Sequence, residues 1–340
     1  MNKGLLSVMA AAVLFFAALA AATPGFSGDR ITLTYANFPP ASTFPCIQME
    51  RYAREVEART GGKVKIHTFP GGTLLPAKNI FDGVQAGAAD IGNFAMSYQP
   101  GRFPVSESVD LPLGFRSARA ASLVLYELIT EYRPKEFENV KILTLFTCPP
   151  ADFMTSRPVK TLADLEGMEL RVSGTGADVI NRLGGVPVAM PQSETPEAIQ
   201  KGIVKGMVSS REILKDFNFA AYCPYSTDVD LFVVSFAVVM NRSRWDGLPA
   251  DVKKVLDDLG REQAEWTGVY VDNHGEEALA WARKEYGHQT FEFSPGDRKK
   301  IATSVQPLID GYVKRVSEQG IPGGDMVRKV GELKKKYEKD

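Results

Sequence analysis

Between Ile31 and Phe94 the chain reads strand, helix, strand, helix, strand, and this order constrains the fold more than any other feature. Ile31 to Tyr35 (ITLTY) alternates β-formers. Ile47, Tyr52, Ala53 and Val56 then make a helical stripe that stops at Gly61-Gly62. Val64 to Phe69 is a second strand, a helix over about Asn79 to Ala86 is closed by Gly87, and Ala89 to Phe94 is a third strand. Strands joined through helices in this way need right-handed crossovers and a mostly parallel sheet. The expected unit is an α/β lobe.

A second unit begins near Pro149-Pro150. Thr161 is placed to cap a short helix with Asp164 at its third position, and Gly167 ends it. Glu169 to Val172 (ELRV) is a strand, Ala177 to Leu183 a helix stopped by Gly184-Gly185, and Val186 to Met190 another strand. Thr195-Pro196 opens the next helix. The stretches Gln85 to Gly92 and Gln200 to Met207 echo each other as helix, stop glycine and following strand, which points to two similar lobes. Phe232 to Met240 (FVVSFAVVM) is almost continuously apolar, as a strand covered on both faces requires. Ala250 to Tyr286 is one long helical stretch interrupted only by Gly260, Gly268 and Gly275, long enough to run along both lobes. Asp325 to Tyr337 is a charged amphipathic helix whose Lys334-Lys335-Lys336 run reads as a solvated face.

Composition narrows the function. With 340 residues and 44% hydrophobic content the chain supports two cored domains and excludes a disordered or collagen-like protein. A formal net charge of -1 leaves no basic footprint for nucleic acid. Cys46, Cys148 and Cys223 lie far apart with no C-x-x-C pair, so neither a zinc site nor a disulfide framework is expected, with one disulfide and one leftover thiol as the remaining option. Met1 to Ala22 has one early cation, an Ala-rich apolar run and small residues at Ala20-Ala21-Ala22, the pattern of a cleaved secretory signal peptide. The mature protein is therefore expected to be exported.

Signatures of chemistry are absent. No G-x-G-x-x-G, Walker loop, G-x-S-x-G or H-E-x-x-H occurs. His67, His274 and His288 are not grouped with any nucleophile, and no carboxylate pair stands out as acid and base. An exported two-lobed α/β chain without such signatures reads as a binding protein, not an enzyme, with its ligand gripped between lobes that close on a hinge. No cofactor and no metal are expected.

Several stretches carry a family likeness. They are Asn37-Phe38-Pro39, the Gly-x-x-Asp turn Gly87 to Asp90, Phe103-Pro104, and Asp110-Leu111-Pro112-Leu113-Gly114-Phe115. The most specific is Pro158-Val159-Lys160-Thr161-Leu162-Ala163-Asp164-Leu165-Glu166-Gly167-Met168-Glu169-Leu170-Arg171-Val172, followed by Leu183 to Met190 and Met240-Asn241 through Trp245 to Leu248-Pro249. In these the chain resembles the solute-binding proteins of tripartite ATP-independent periplasmic (TRAP) transporters, of the C4-dicarboxylate-binding type. The resemblance implies a Venus-flytrap fold with strands crossing between two lobes and a long bridging helix. It implies a monomer in the periplasm that delivers an organic acid to the membrane subunits of a TRAP permease, with neither nucleic acid nor cofactor involved. The lobes are placed at residues 30–153 plus 235–273 and 154–234 plus 274–340, after a signal peptide over residues 1–22.

The family's carboxylate-binding arginine falls on Arg171. A guanidinium presents a planar fork that matches a carboxylate and stays charged under a closed cleft. On the residues alone, a structural ion pair is the competing role. Sialic-acid binders of the family carry a second arginine near the position of Ala151 and an asparagine where Ser209 stands, and Lys205 replaces the usual aspartate of the second Gly-x-x-Asp turn. A sugar-acid network is therefore not expected. Loops at strand ends nominate Phe38, Tyr98, Phe146, Ser209 and Ser210 as further ligand-binding residues. Three of these are aromatic, which suits a monocarboxylate with a flat or branched apolar body, such as a 2-oxo acid. If Phe38 and Phe146 are instead core, the ligand is lactate, pyruvate or a C4-dicarboxylate. Inward-pointing Lys78, Arg102 or Arg211 would favour the dicarboxylate. A sensory receptor presenting ligand to a membrane sensor would share all these features.

Overall fold

The computed structural model describes residues 30–174 and 176–339, so the signal-peptide reading of residues 1–22 lies outside the described residues. Eleven strands are seen among these residues: β1 (Ile31–Asn37), β2 (Val64–Phe69), β3 (Ile91–Ala95), β4 (Val140–Thr147), β5 (Asp152–Thr155), β6 (Glu169–Val172), β7 (Val186–Ala189), β8 (Gly206–Ser209), β9 (Tyr225–Asp228), β10 (Ser235–Asn241) and β11 (Gln289–Glu292). They form two sheets, ordered β2-β1-β3-β10-β4 and β11-β9-β5-β8-β6-β7. In the first, β1 runs parallel to β2 and β3, as the strand–helix alternation demands. However, β10 is antiparallel to both β3 and β4, because the chain re-enters this lobe from the other one. The second sheet repeats the device, with β6 parallel to β7 and β8 while β5 runs antiparallel to β8. The expected mostly parallel sheets are thus mixed.

Two segments connect the lobes, and they are bonded to each other. Chain leaving β4 passes through residues 148–151, and chain leaving β9 returns through residues 229–234. The Cys148 N–H donates to the Val234 carbonyl (3.1 Å), the Ala151 N–H to that of Phe232 (2.8 Å), and the Leu231 N–H to that of Ala151 (3.0 Å). The apolar run from Phe232 therefore divides at its polar Ser235: its first residues cross between lobes, and β10 proper starts at Ser235.

The long helix is a single element, Ala250–Tyr286, about 55 Å from end to end. Its glycines do not interrupt it; two of them admit close neighbours. A Cβ on Gly268 would sit 2.5 Å from Arg119 Cα and 2.7 Å from Arg119 N, and one on Gly260 would be 2.8 Å from the Leu143 carbonyl oxygen. One turn on from Gly268, the Asp272 carboxylate accepts the Ala118 and Arg119 N–H groups at 2.7 and 3.0 Å, covering bare donors at the start of helix Ala118–Tyr132. Leu256, Leu259 and Val271 join the first lobe's core, whereas Leu279 and Ala282 pack with Met154, Met207 and Phe219 of the second. The helix spans both lobes as the sequence suggested.

The C-terminal helix Gly323–Tyr337 does not sit with the second lobe, where the expected boundary of residues 274–340 put it. Met326, Val330, Leu333 and Tyr337 form its apolar stripe, and this stripe packs into the first lobe's core beside helix Ala118–Tyr132. Cys46, Cys148 and Cys223 are all buried and free, so the single-disulfide option is not realised. No helix among the described residues is long and apolar enough to cross a membrane.

Candidate functional site

A cavity of about 50 Å³ lies where the lobes meet. It is built largely from residues just past the C-terminal ends of parallel strands, where α/β sheets place their ligands. Phe38 follows β1, Tyr98 follows β3, Ser173 follows β6, Gln192 follows β7, and Ser210 and Glu212 follow β8. Phe44 and Phe236 complete an aromatic wall from the first lobe.

Arg171 is the one cation among the described lining residues. Alternation along β6 sends Leu170 and Val172 into the second lobe's core and turns Arg171 to the opposite face. Its side chain is held before any ligand arrives. Nε and Nη2 both donate to the Met190 carbonyl, at 3.1 and 2.8 Å, and Nη1 donates to Gln192 Oε1 at 2.5 Å. The guanidinium is only 2% exposed, and no carboxylate pairs with it among the described residues. Burial lowers its pKa from the usual value, opposed by the neighbouring Tyr98 hydroxyl. The competing role, a structural ion pair, is thus not seen among the described residues; Glu194 acts on the guanidinium through its charge without forming an ion pair. Gln192 Nε2, also buried, has no hydrogen-bond partner among the described residues. The backbone N–H of Gln192 donates to the Tyr98 hydroxyl at 3.0 Å, tying the second lobe to the first across the cavity.

Of the six nominated residues, Arg171, Phe38, Tyr98, Ser209 and Ser210 line this one cavity. Phe146 does not. It is fully buried in the first core and stacks behind Phe236, 5.1 Å between ring centroids, so the ring facing the cavity belongs to β10 rather than β4. Phe38 meets Tyr98 edge-on at 5.5 Å and Phe236 at 6.4 Å. None of Lys78, Arg102 or Arg211 enters the lining. Arg102 pairs with Asp82, Arg211 is engaged by Asp152, Asp228 and Glu276, and Lys78 is exposed.

The sequence reading missed the acidic side of the cavity. Glu212, 2% exposed, accepts the Ser210 hydroxyl at 2.7 Å. Asp216 bonds His274 Nε2 at 2.7 Å, reaching to the long helix. The strand-end rule that nominated Ser209 and Ser210 would have reached Glu212 as well as Ser173 and Gln192. Nothing local signals that Asp216 meets a histidine so distant in the chain, nor which of Phe146 and Phe236, paired on neighbouring strands, faces the cavity. No group of three or more His, Cys, Asp or Glu side chains arranged to hold a metal occurs among the described residues.

Burial pushes the Glu212 carboxyl up from 4.5 to about 7. At the crossover, burial and then the Asp152 charge push Asp228 up from 3.8 to about 6. Both folded-state values lie above the unfolded ones, so the native state holds the extra protons and stability falls as pH rises through this window. The Asp216 bond raises His274 above 6.5, which extends the loss to higher pH. The ligand-free protein is expected to lose Tm as pH rises from about 4 to about 7, with a shallower slope in Glu212→Gln. A flat Tm profile across that interval would show that these groups are not held protonated by the fold.

Comparison with known proteins fits this architecture. Residues 35–315 match the family described as bacterial extracellular solute-binding protein, family 7. A TRAP periplasmic solute-binding protein from Desulfovibrio salexigens, in an open complex with the C-terminus of a symmetry mate in its ligand site, is 51% identical, with a TM-score of 0.83 over 91% of this chain and 97% of that one. A marine metagenome TRAP solute-binding protein specific for aromatic acids, bound to 3-hydroxybenzoate, is 26% identical, with a TM-score of 0.87 over 91% and 99% of the two chains. The C4-dicarboxylate-binding protein DctB of Bacillus subtilis is 22% identical over 90% of this chain and 87% of its own length. The chain therefore belongs to bacterial extracellular solute-binding protein family 7 and is a solute-binding receptor of the TRAP type.

Proposed function

We propose that this receptor works as a periplasmic monomer that captures a small monocarboxylate with an aromatic or branched apolar body and hands it to the membrane subunits of its permease. It does no chemistry on the acid. The observation that carries the reading is Arg171, a buried guanidinium already oriented by Met190 and Gln192, with no acid among the described residues in an ion pair with it. An incoming carboxylate supplies that charge, and the unpartnered Gln192 Nε2 is a further donor at the same end. Phe38, Tyr98, Phe44 and Phe236 then offer ring faces and edges to an apolar body. Ser209 and Ser210 lie on the opposite lobe and close over it. The aromatic-acid specificity of the metagenome relative supports this choice, and the Met1–Ala22 pattern supports export. A second carboxylate on the ligand finds no second cation in the lining and meets Glu212 instead, which disfavours dicarboxylates.

The test is a thermal-shift panel on protein stripped of co-purified ligand by unfolding and refolding. The acids are benzoate, phenylacetate, phenylpyruvate, lactate, pyruvate and succinate. At about 1,000 times its Kd a ligand stabilises by roughly 4 kcal/mol, a shift of several degrees. Shifts with the aromatic acids and none with succinate are expected. A response to succinate alone would overturn the monocarboxylate assignment, and no response to any acid would overturn organic-acid capture itself.

A further inference from the structure

Two acceptors in the cavity are left over by the carboxylate reading. Glu212 spends Oε1 on the Ser210 hydroxyl, and Asp216 spends Oδ1 on His274, but Glu212 Oε2 and Asp216 Oδ2 are buried without any hydrogen-bond partner among the described residues. Both side chains belong to one turn of chain, both line the cavity that holds Arg171, and neither is needed to orient that arginine. Buried acceptors left unpaired are costly. Resting on the carboxylate reading, we propose that the Glu212–Asp216 edge is a second recognition point, which selects acids carrying a hydroxyl group away from the carboxylate.

Charge decides between a hydroxyl and an ammonium. Asp216 draws His274 toward its protonated form, with Glu212, Glu277 and Lys215 as its other charged neighbours. Glu212 holds its proton to about pH 7 through burial. It therefore presents a carboxylic acid below that pH and a carboxylate above it. A hydroxyl both donates and accepts, so it satisfies either form, whereas an ammonium can only donate and would enter a site with little net negative charge. A second carboxylate would be repelled once Glu212 ionises. Selectivity from such a contact is steep, because the acid lacking the hydroxyl leaves the buried acceptors unpaired.

The experiment measures Kd by calorimetry for pairs that differ in one group remote from the carboxylate: benzoate against 3-hydroxybenzoate, phenylacetate against 3-hydroxyphenylacetate, and propionate against 3-hydroxypropionate. In at least one pair the hydroxy acid is expected to bind at least about tenfold tighter. Within the responsive pair, the acid with fluorine in place of the hydroxyl (3-fluorobenzoate for the benzoate pair), which fills similar space without an O–H donor, is expected to bind like the parent acid. Glu212→Leu is expected to bring the ratio within the responsive pair below about threefold. The fluorinated acid needs no variant, so a Glu212→Leu protein that fails to fold leaves the test intact. Equal binding within every pair, a fluorinated acid as tight as the hydroxylated one, or a ratio that survives Glu212→Leu would overturn the proposal. In each of those cases binding that still depends on Arg171 keeps the carboxylate reading. Absence of binding by all the acids would overturn both.

Discussion

Arg171→Ala is expected to weaken binding of the cognate acid by about 30-fold to several thousand-fold, the equivalent of losing about 2–5 kcal/mol from a buried charge-assisted contact. Two losses combine. The ligand carboxylate enters the closed cavity with no cation to meet it, and Gln192 loses the Nη1 contact that fixes its amide. Arg171→Lys is expected to recover little, since a point charge cannot chelate the Met190 carbonyl through two nitrogens and face a carboxylate at once. The ligand-free fold should tolerate the change. Removing a buried charge that no acid balances offsets the loss of about 1 kcal/mol per hydrogen bond, so Tm is expected to move by only a few degrees. Calorimetry on the stripped protein measures the first effect and a thermal melt the second. An unchanged Kd would take Arg171 out of the ligand contact, and a collapse in Tm would make it a structural residue.

Asp152→Ala is expected to be the most damaging change outside the cores, at about 3–5 kcal/mol of stability, read by urea unfolding. Asp152 is buried at the point where β5 leaves the first crossover. It accepts Arg211 Nε at 2.8 Å and the backbone N–H groups of Val229 and Asp230 at 2.7 and 3.2 Å, so one carboxylate fastens both connecting segments. Burial works against the Arg211 charge, but Asp152 and then Asp228 more than compensate and hold it firmly protonated. Without Asp152 two buried N–H groups lose their acceptor and Arg211 keeps only Asp228 and the exposed Glu276. Asp152→Asn keeps an acceptor for the amides and should cost less than the alanine change. A loss below about 1 kcal/mol in Asp152→Ala would mean that the crossover is held by its backbone bonds alone.

The sequence made the βαβ order of each lobe readable because glycines stop its helices where the next strand begins. The short echo between Gln85–Gly92 and Gln200–Met207 turned out to mark equivalent places: each stretch leads into the strand that sits between a parallel and an antiparallel neighbour, β3 beside β1 and β10, and β8 beside β6 and β5. Its one charge reversal has a local cause. Asp90 accepts the Thr34 N–H and hydroxyl and pairs with Arg244, while Lys205 turns back to the Gly202 carbonyl. Arg171 was legible through its motif, and the strand-end residues through topology. What local patterns could not carry was long-range pairing: which lobe the last helix joins, which of two stacked phenylalanines faces the ligand, and which carboxylate finds His274. Each of those depends on contacts between residues far apart in sequence, and an amphipathic stripe or an apolar strand looks the same whatever covers it.

The two crossover segments, bonded side by side, and the long helix that lies against both lobes act together as three parallel attachments. A single linker would let the lobes swivel in any direction, whereas three leave one soft motion, a rotation about an axis near the crossover. The bond from the Gln192 N–H to the Tyr98 hydroxyl sets the register in which the lobes meet. The entropy that a floppier clamp would lose on each capture has already been lost when the protein folds.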